Sequence, residues 1–152
     1  MRSWILVAVL VSCYTVGRVA PAAAQASTAA PTLYQRLGGY DFLARFVDTA
    51  FPRVAAHPQL RRLFQGHSRD SQMRQRQLIV DMLCHAAGGP CVYIGRPMRD
   101  VHTGLGITQA DWDAFLGIIS STLNELHVRA PERADFLAIF NERFRPEVVI
   151  EP

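Results

Sequence analysis

Apolar side chains return at every third or fourth position along most of this chain, and that spacing leaves few folds open. From Asp41 onward, Phe42, Leu43, Phe46, Val47, Ala50, Phe51 and Val54 fall on one face of a helix. The same period runs from Gln72 to Ala86 through Met73, Leu78, Ile79, Met82, Leu83 and Ala86. It returns after Thr108 in Trp112, Phe115, Leu116, Ile118, Ile119, Leu123 and Leu126, and again after Pro131 in Phe136, Leu137, Ile139, Phe140 and Phe144. Alternation of the strand kind, over a useful length, occurs nowhere. The fold class expected is therefore all-α, in one domain and without an internal repeat.

Glycine, proline and capping residues divide the pattern. "LYQRLGG" predicts a short helix released by Gly38-Gly39. Pro52 lies inside the next run and is expected to kink that helix or end it near Phe51. "HPQLRRLF" reads as a helical turn ending near Phe64, and "QGHSRDS" as a loop. Gly88-Gly89-Pro90 close the second long helix. Thr108 and Asp111 form a capping box for the third, Pro131 suits the first turn of the last, and Pro146 is expected to stop it. Between Gly88 and Thr108 lies "GGPCVYIGRPMRDVHTGLGIT", where one helical turn fits, near Met98–His102.

All 16 basic residues are arginine. A chain without lysine has no Schiff-base lysine and no P-loop lysine, so any anion held by a side chain is held by Arg or His. The formal charge is +3, but residues 1–26 hold two arginines and no acid, leaving the rest at +1. A body so close to neutral argues against a nucleic-acid partner.

Residues 1–26, "MRSWILVAVLVSCYTVGRVAPAAAQA", run from Arg2 through an apolar stretch to Ala24-Gln25-Ala26. That is the order of a secretory signal, with cleavage expected after Ala26 and a periplasmic or secreted product. The apolar run is too short for an ordinary membrane span of about 20 residues. A second reading takes Leu10-Val11-Ser12-Cys13 as a lipoprotein box that anchors the chain through Cys13. Residues 27–32 read as a flexible leader. With Cys13 removed, Cys84 and Cys91 form an even pair in an oxidising compartment. A disulfide across "HAAGGP" and two buried thiols both suit the spacing. A metal pair does not, since no C-x-x-C is present and His85 alone does not complete a tetrahedral set.

A short helical domain places its site in a pocket between helices. No Gly-rich phosphate loop follows a strand, and no serine sits in a G-x-S-x-G setting. Among the histidines, His57 and His67 lie in polar loops, His127 near a helix end, and His85 between apolar positions. His102 differs, because Met98, Val101, Arg96 and Arg99 lie close by in a glycine-broken segment. An imidazole beside an apolar wall and arginines is what an iron porphyrin with carboxylate substituents requires.

The order of "LYQRLGG" (Leu33–Gly39), "LRRLFQG" (Leu60–Gly66), "GGPCVYIGRPMRDVHTGLGIT" and two closing helices resembles the truncated globins, the short two-over-two helical family, and most of all their first group. The resemblance covers about Leu33 to Val148. It implies haem b held non-covalently, with His102 as the iron ligand and Phe64 packed on the haem face. It also implies Tyr93, Arg96, Met98 and Arg99 along the proximal side and propionate edge, and a distal wall of Phe51, Gln75, Leu78, Ile79, Met82 and Leu83.

The chain departs from that family at the distal wall. A tyrosine common on the second helix is matched by Phe51, and a common glutamine by Ile79, leaving Gln75 and Gln77 as polar candidates. No histidine stands at Leu78, where a second internal ligand would be expected. The resemblance implies reversible binding of a diatomic gas (oxygen, nitric oxide or carbon monoxide). Nitric oxide detoxification or peroxidase-like turnover would be a side activity served by a separate reductase. The alternatives are a helical interaction module without haem and a thiol redox sensor built on Cys84 and Cys91.

Overall fold

The computed structural model describes residues 30–149. The expected signal, its cleavage site and the alternative anchor at Cys13 lie outside the described residues. Helix α1, Leu33–Leu37, begins at a capping box in which Thr32 Oγ1 accepts from Gln35 N–H and Thr32 N–H donates to Gln35 Oε1. Gly38, at φ 98°, ends α1 in a left-handed geometry and turns the chain directly into α2, Gly39–Ala56.

Of the two outcomes expected of Pro52, a kink or an end near Phe51, the end does not occur: α2 continues through it to Ala56. Proline removes the one bond its own N–H would make. Val54, two residues further on, is buried on the same face as Phe46, Val47 and Ala50, and that packing carries the helix past the break. A 3₁₀ turn, Arg61–Phe64, follows.

Helix α3, Arg69–Ala86, starts three residues before the expected Gln72, because Ser68 Oγ accepts from Ser71 N–H at 3.2 Å. A short α4, Met98–His102, falls where one turn was expected. Helix α5, Gln109–Glu125, has the expected capping box. Helix α6, Ala130–Ala138, runs into a π-helical segment, Ile139–Phe144, and then α7, Arg145–Val148. Pro146 thus sits in the first turn of α7, directly after the π segment, rather than stopping the last helix.

Among the described residues the molecule is all-helical. Helices α2 and α3 pack together, α5 packs on α6, and α2 also packs on α5. One apolar cluster joins Leu43, Phe46, Val47, Val80 and Leu83 to Trp112, Ile119, Leu123, Phe136 and Phe140. The wider turn of the π segment helps keep Phe136, Phe140 and Phe144 on one inward face despite their steps of four. Phe46 meets Phe136 edge-on with ring centroids 5.0 Å apart, and Phe140 meets Phe144 at 5.6 Å. Each such pair contributes about 0.5–1.5 kcal/mol beyond area burial. Outside the core, Arg76 clasps Asp48 through two bonds of 2.6 and 2.7 Å, tying α3 to α2.

Candidate functional site

A cavity of about 540 Å³ opens between the two helix pairs. One wall comes from α2, the 3₁₀ turn and α3, the other from the loop before α4, from α4 itself, from α5 and from the π segment. The first wall holds Phe51, Phe64, Gln75, Leu78, Ile79, Met82 and Leu83. The second holds Tyr93, Arg96, Met98, Val101 and His102, backed by Trp112 and Phe115. The sequence-expected residues are therefore brought to one space, with a single exception.

That exception is Arg99, which does not line the cavity. Its guanidinium donates to Glu147 Oε2 at 3.1 Å and to the Pro146 carbonyl at 3.3 Å. It holds α4 against α7, and so positions His102 without facing the cavity. Gln77 is likewise committed elsewhere: its amide bonds the Tyr40 hydroxyl and Asp81. Gln75 is the cavity-lining glutamine and makes no hydrogen bond among the described residues.

His102, the last residue of α4, is half-buried. Its Nδ1 lies 2.8 Å from the Met98 carbonyl oxygen. A carbonyl only accepts, so Nδ1 carries the proton and Nε2 keeps its lone pair. Burial pushes the imidazole below its ordinary pKa, and the bond to Met98 offsets this only in part. A neutral ring with a fixed tautomer and a free Nε2 results, which is the form that binds a metal.

Phe64 meets Phe51 edge-on at 5.5 Å. The turn that carries it is tied through the Gln59 and Arg62 side chains to Asp111, a carboxylate only 3% exposed. Asp111 accepts from Thr108 N–H, the Thr108 hydroxyl, Gln59 Nε2 and Arg62 Nη2, at 2.6 to 3.0 Å. Burial raises the Asp111 pKa, but these bonds and the Arg62 charge prevail and hold it below its ordinary value. The sequence shows Asp111 as a helix cap. Its second task, fixing the turn that carries Phe64 to the start of α5, has no local signal because Gln59 and Arg62 are some fifty residues away.

Two arginines at the cavity, Arg74 and Arg96, have no acidic partner among the described residues. Arg74 was not singled out by the sequence; its position one turn before Leu78 on the α3 face is the signal that could have found it. Tyr93 donates its hydroxyl to the Arg96 carbonyl at 2.9 Å, and burial pushes its phenol above the usual pKa against the Arg96 charge. His67 lines the cavity as well, exposed and edge-on to Phe64 at 6.4 Å, so the loop reading of this residue captured only half its setting. No described helix is long and apolar enough to cross a membrane.

A helical sandwich with one imidazole nitrogen directed by a carbonyl, in an apolar cavity with two cations that have no acidic partner among the described residues, defines a haem-binding globin. Residues 32–147 match the bacterial-like globin family, and the chain belongs to it, most closely resembling its group 1 truncated haemoglobins. It is 31% identical over 106 residues to the group 1 truncated hemoglobin GlbN of Mycolicibacterium paratuberculosis, covering 70% of this chain and 76% of that one. The group 1 truncated hemoglobin of Tetrahymena pyriformis is 30% identical over 97 residues, covering 64% and 78%. The crystal structure of that protein in its Fe(III) form superposes with a TM-score of 0.71 at 26% identity, over 80% of this chain and all of the other.

The residues present fit haem. His102 Nε2 would offer a nitrogen to the iron, Arg74 and Arg96 would offer cations to its carboxylates, and the walls between are apolar. The haem, when bound, supplies the iron at which a small ligand binds.

Proposed function

We propose that this globin reversibly binds a diatomic gas in a pocket poor in hydrogen-bond donors, and that it holds nitric oxide or carbon monoxide better, relative to dioxygen, than a pocket with a distal hydroxyl does. The observation that carries the reading is the wall facing His102. Phe51, Ile79, Met82 and Leu83 form its apolar stretch, Gln75 is the one amide, and the remaining donors, His67, Ser71 and Arg74, come from the loop before α3 and its first two turns. Hydrogen-bond donors in such a pocket would favour dioxygen, which gathers negative charge, over carbon monoxide and nitric oxide, which depend on them less. His102 would hold the haem through Nε2, Phe64 and Phe51 exclude water from the cavity, and Gln75 is placed to donate one hydrogen bond. Removal of nitric oxide belongs to the same proposal, and an electron-donating reductase is then its partner.

Export of the chain is a second element of the proposal, with residues 1–26 as the signal. The residue order of that segment supports it, and so does the pairing of Cys84 with Cys91, since disulfides persist in oxidising compartments.

The test is spectroscopic. The protein is loaded with haemin, and ferric, ferrous and carbon monoxide spectra are recorded for wild type and His102→Ala. A wild-type spectrum equal to that of free haemin overturns the haem site. Stopped-flow dioxygen release for wild type and Phe51→Tyr then tests the pocket. The tyrosine is expected to slow release at least ten-fold, and equal rates overturn the claim that donors are scarce.

A further inference from the structure

Cys84 and Cys91 are joined in a disulfide with Cα atoms 5.7 Å apart. Its two ends belong to opposite walls of the cavity. Cys84 follows Met82 and Leu83 in the last turn of α3, and Cys91 opens the segment that carries Tyr93 and Arg96. Among the described residues, the backbone of residues 92–95 makes no hydrogen bond at all. The Cys91 carbonyl accepts one long bond, 3.3 Å from His85 Nδ1. Val92 and Ile94, on either side of Tyr93, are 75% and 80% exposed and anchor nothing. The wall formed by Tyr93 and Arg96 is therefore held to α3 chiefly by one covalent bond.

The turn between the cysteines is packed onto that bond. A Cβ at Gly89 would lie 2.7 Å from Cys84 Sγ and 2.6 Å from the Tyr34 ring, so the turn closes only with glycine there. Cys84 is fully buried, whereas Cys91 is half-buried between the exposed Pro90 and Val92. Of the two cysteines, only Cys91 is open to solvent.

We propose that the Cys84–Cys91 bridge is an exchange site for a dithiol, and that its redox state sets how firmly the Tyr93–Arg96 wall closes on the haem. A thiolate of the dithiol attacks Cys91 Sγ, the Sγ–Sγ bond breaks, and the Cys84 sulfur leaves and takes a proton. The second thiol of the dithiol then displaces Cys91 as a thiol, and the dithiol becomes a disulfide. The freed wall has few other bonds, so Arg96 and Tyr93 lose their fixed place at the cavity edge. The latch rests on the bridge alone; its consequence for haem rests on the haem reading above.

Two measurements separate these levels. In the first, apoprotein is treated with chymotrypsin before and after reduction by dithiothreitol and capping of the thiols, and cleavage after Tyr93 is followed by mass. Cys91→Ser, which leaves the Cys84 sulfur in the core, is treated in parallel. Cleavage is expected to rise at least five-fold on reduction and in Cys91→Ser; unchanged cleavage overturns the latch. In the second, ferric holoprotein gives up haem to excess apomyoglobin. Haem loss is expected to rise at least five-fold in the reduced protein and in Cys91→Ser, with Cys91→Ser itself indifferent to dithiothreitol. Equal rates in all three overturn the coupling. If no form takes up haem, the haem reading fails while the cleavage assay still decides the latch.

Discussion

Asp111 shows how much a single carboxylate does at the edge of this cavity. It completes the capping box of α5 and accepts from Gln59 and Arg62, so it ties the turn bearing Phe64 to the helix bearing Trp112. A cap contributes about 1 kcal/mol and a hydrogen bond to a charged group about 1.5–3 kcal/mol. Asp111→Ala is therefore expected to lower stability by about 2–4 kcal/mol in urea unfolding. Its pKa is depressed in the folded state, so its contribution is present above the unfolded carboxyl value, about 3.9, and is lost as pH falls through the folded one. Wild type should lose stability over that acid range more steeply than Asp111→Asn, and parallel curves would remove the role assigned here. The arginines offer a contrast at the same scale. Arg96→Ala and Arg74→Ala should each speed haem loss several-fold, whereas Arg99→Ala, which breaks an exposed pair with Glu147, should cost no more than about 1 kcal/mol in stability and change haem loss less. An Arg99 variant that loses haem as fast as the Arg96 variant would return Arg99 to the cavity edge.

At the scale of elements, Pro52 permits a direct measurement. It stands in the interior of α2 on the exposed side, where a proline costs about 3 kcal/mol relative to alanine and recovers about 0.4–1 kcal/mol through a stiffer unfolded chain. Pro52→Ala should thus raise stability by about 2 kcal/mol, read as an increase in Tm with an unchanged haem spectrum. A fall in Tm would mean that the break is used by the fold rather than tolerated by it. The long helices were legible because their apolar residues repeat over three or more turns, α5 also because Thr108 and Asp111 cap it, and α4 as the one turn for which the glycine-broken segment leaves room. Three boundaries were not. Ser68 caps α3 without a carboxylate three residues later, Pro52 is overridden by the burial of Val54, and Pro146 opens α7 instead of closing the last helix. Each of these is decided by packing or by a backbone bond that local residue types do not announce. The site divides in the same way. His102, Phe64 and the α3 face follow from motif and period, while the commitment of Arg99 to Glu147 and the arrival of Arg74 at the cavity depend on how α4, α7 and α3 meet.

For the whole molecule, the decisive feature is that the cavity interrupts the core rather than lying on it. Phe46, Leu83, Ile119 and Phe140 belong both to the central apolar cluster and to the cavity lining. A group seated there completes the packing of both helix pairs, so binding and folding are one equilibrium. A ligand that binds only the native state adds about 4 kcal/mol at a thousand times its Kd. One equivalent of haemin should therefore raise the urea midpoint of wild type strongly. His102→Ala retains the walls but lacks the axial nitrogen, and should show a much smaller rise. Apolar occupancy alone would raise both midpoints equally, and that result would assign the stabilisation to the walls and not to His102. The comparison also fixes the reference for the disulfide. Closing a loop as short as Cys84–Cys91 restricts the unfolded chain by about 2–3 kcal/mol on the chain-entropy account, whether or not haem is present. Reduction should therefore lower the apoprotein midpoint by that amount, and the holoprotein midpoint by more, because the loosened Tyr93–Arg96 wall also weakens haem. Equal losses in the two forms would leave the bridge as a staple of the fold with no hold on the site.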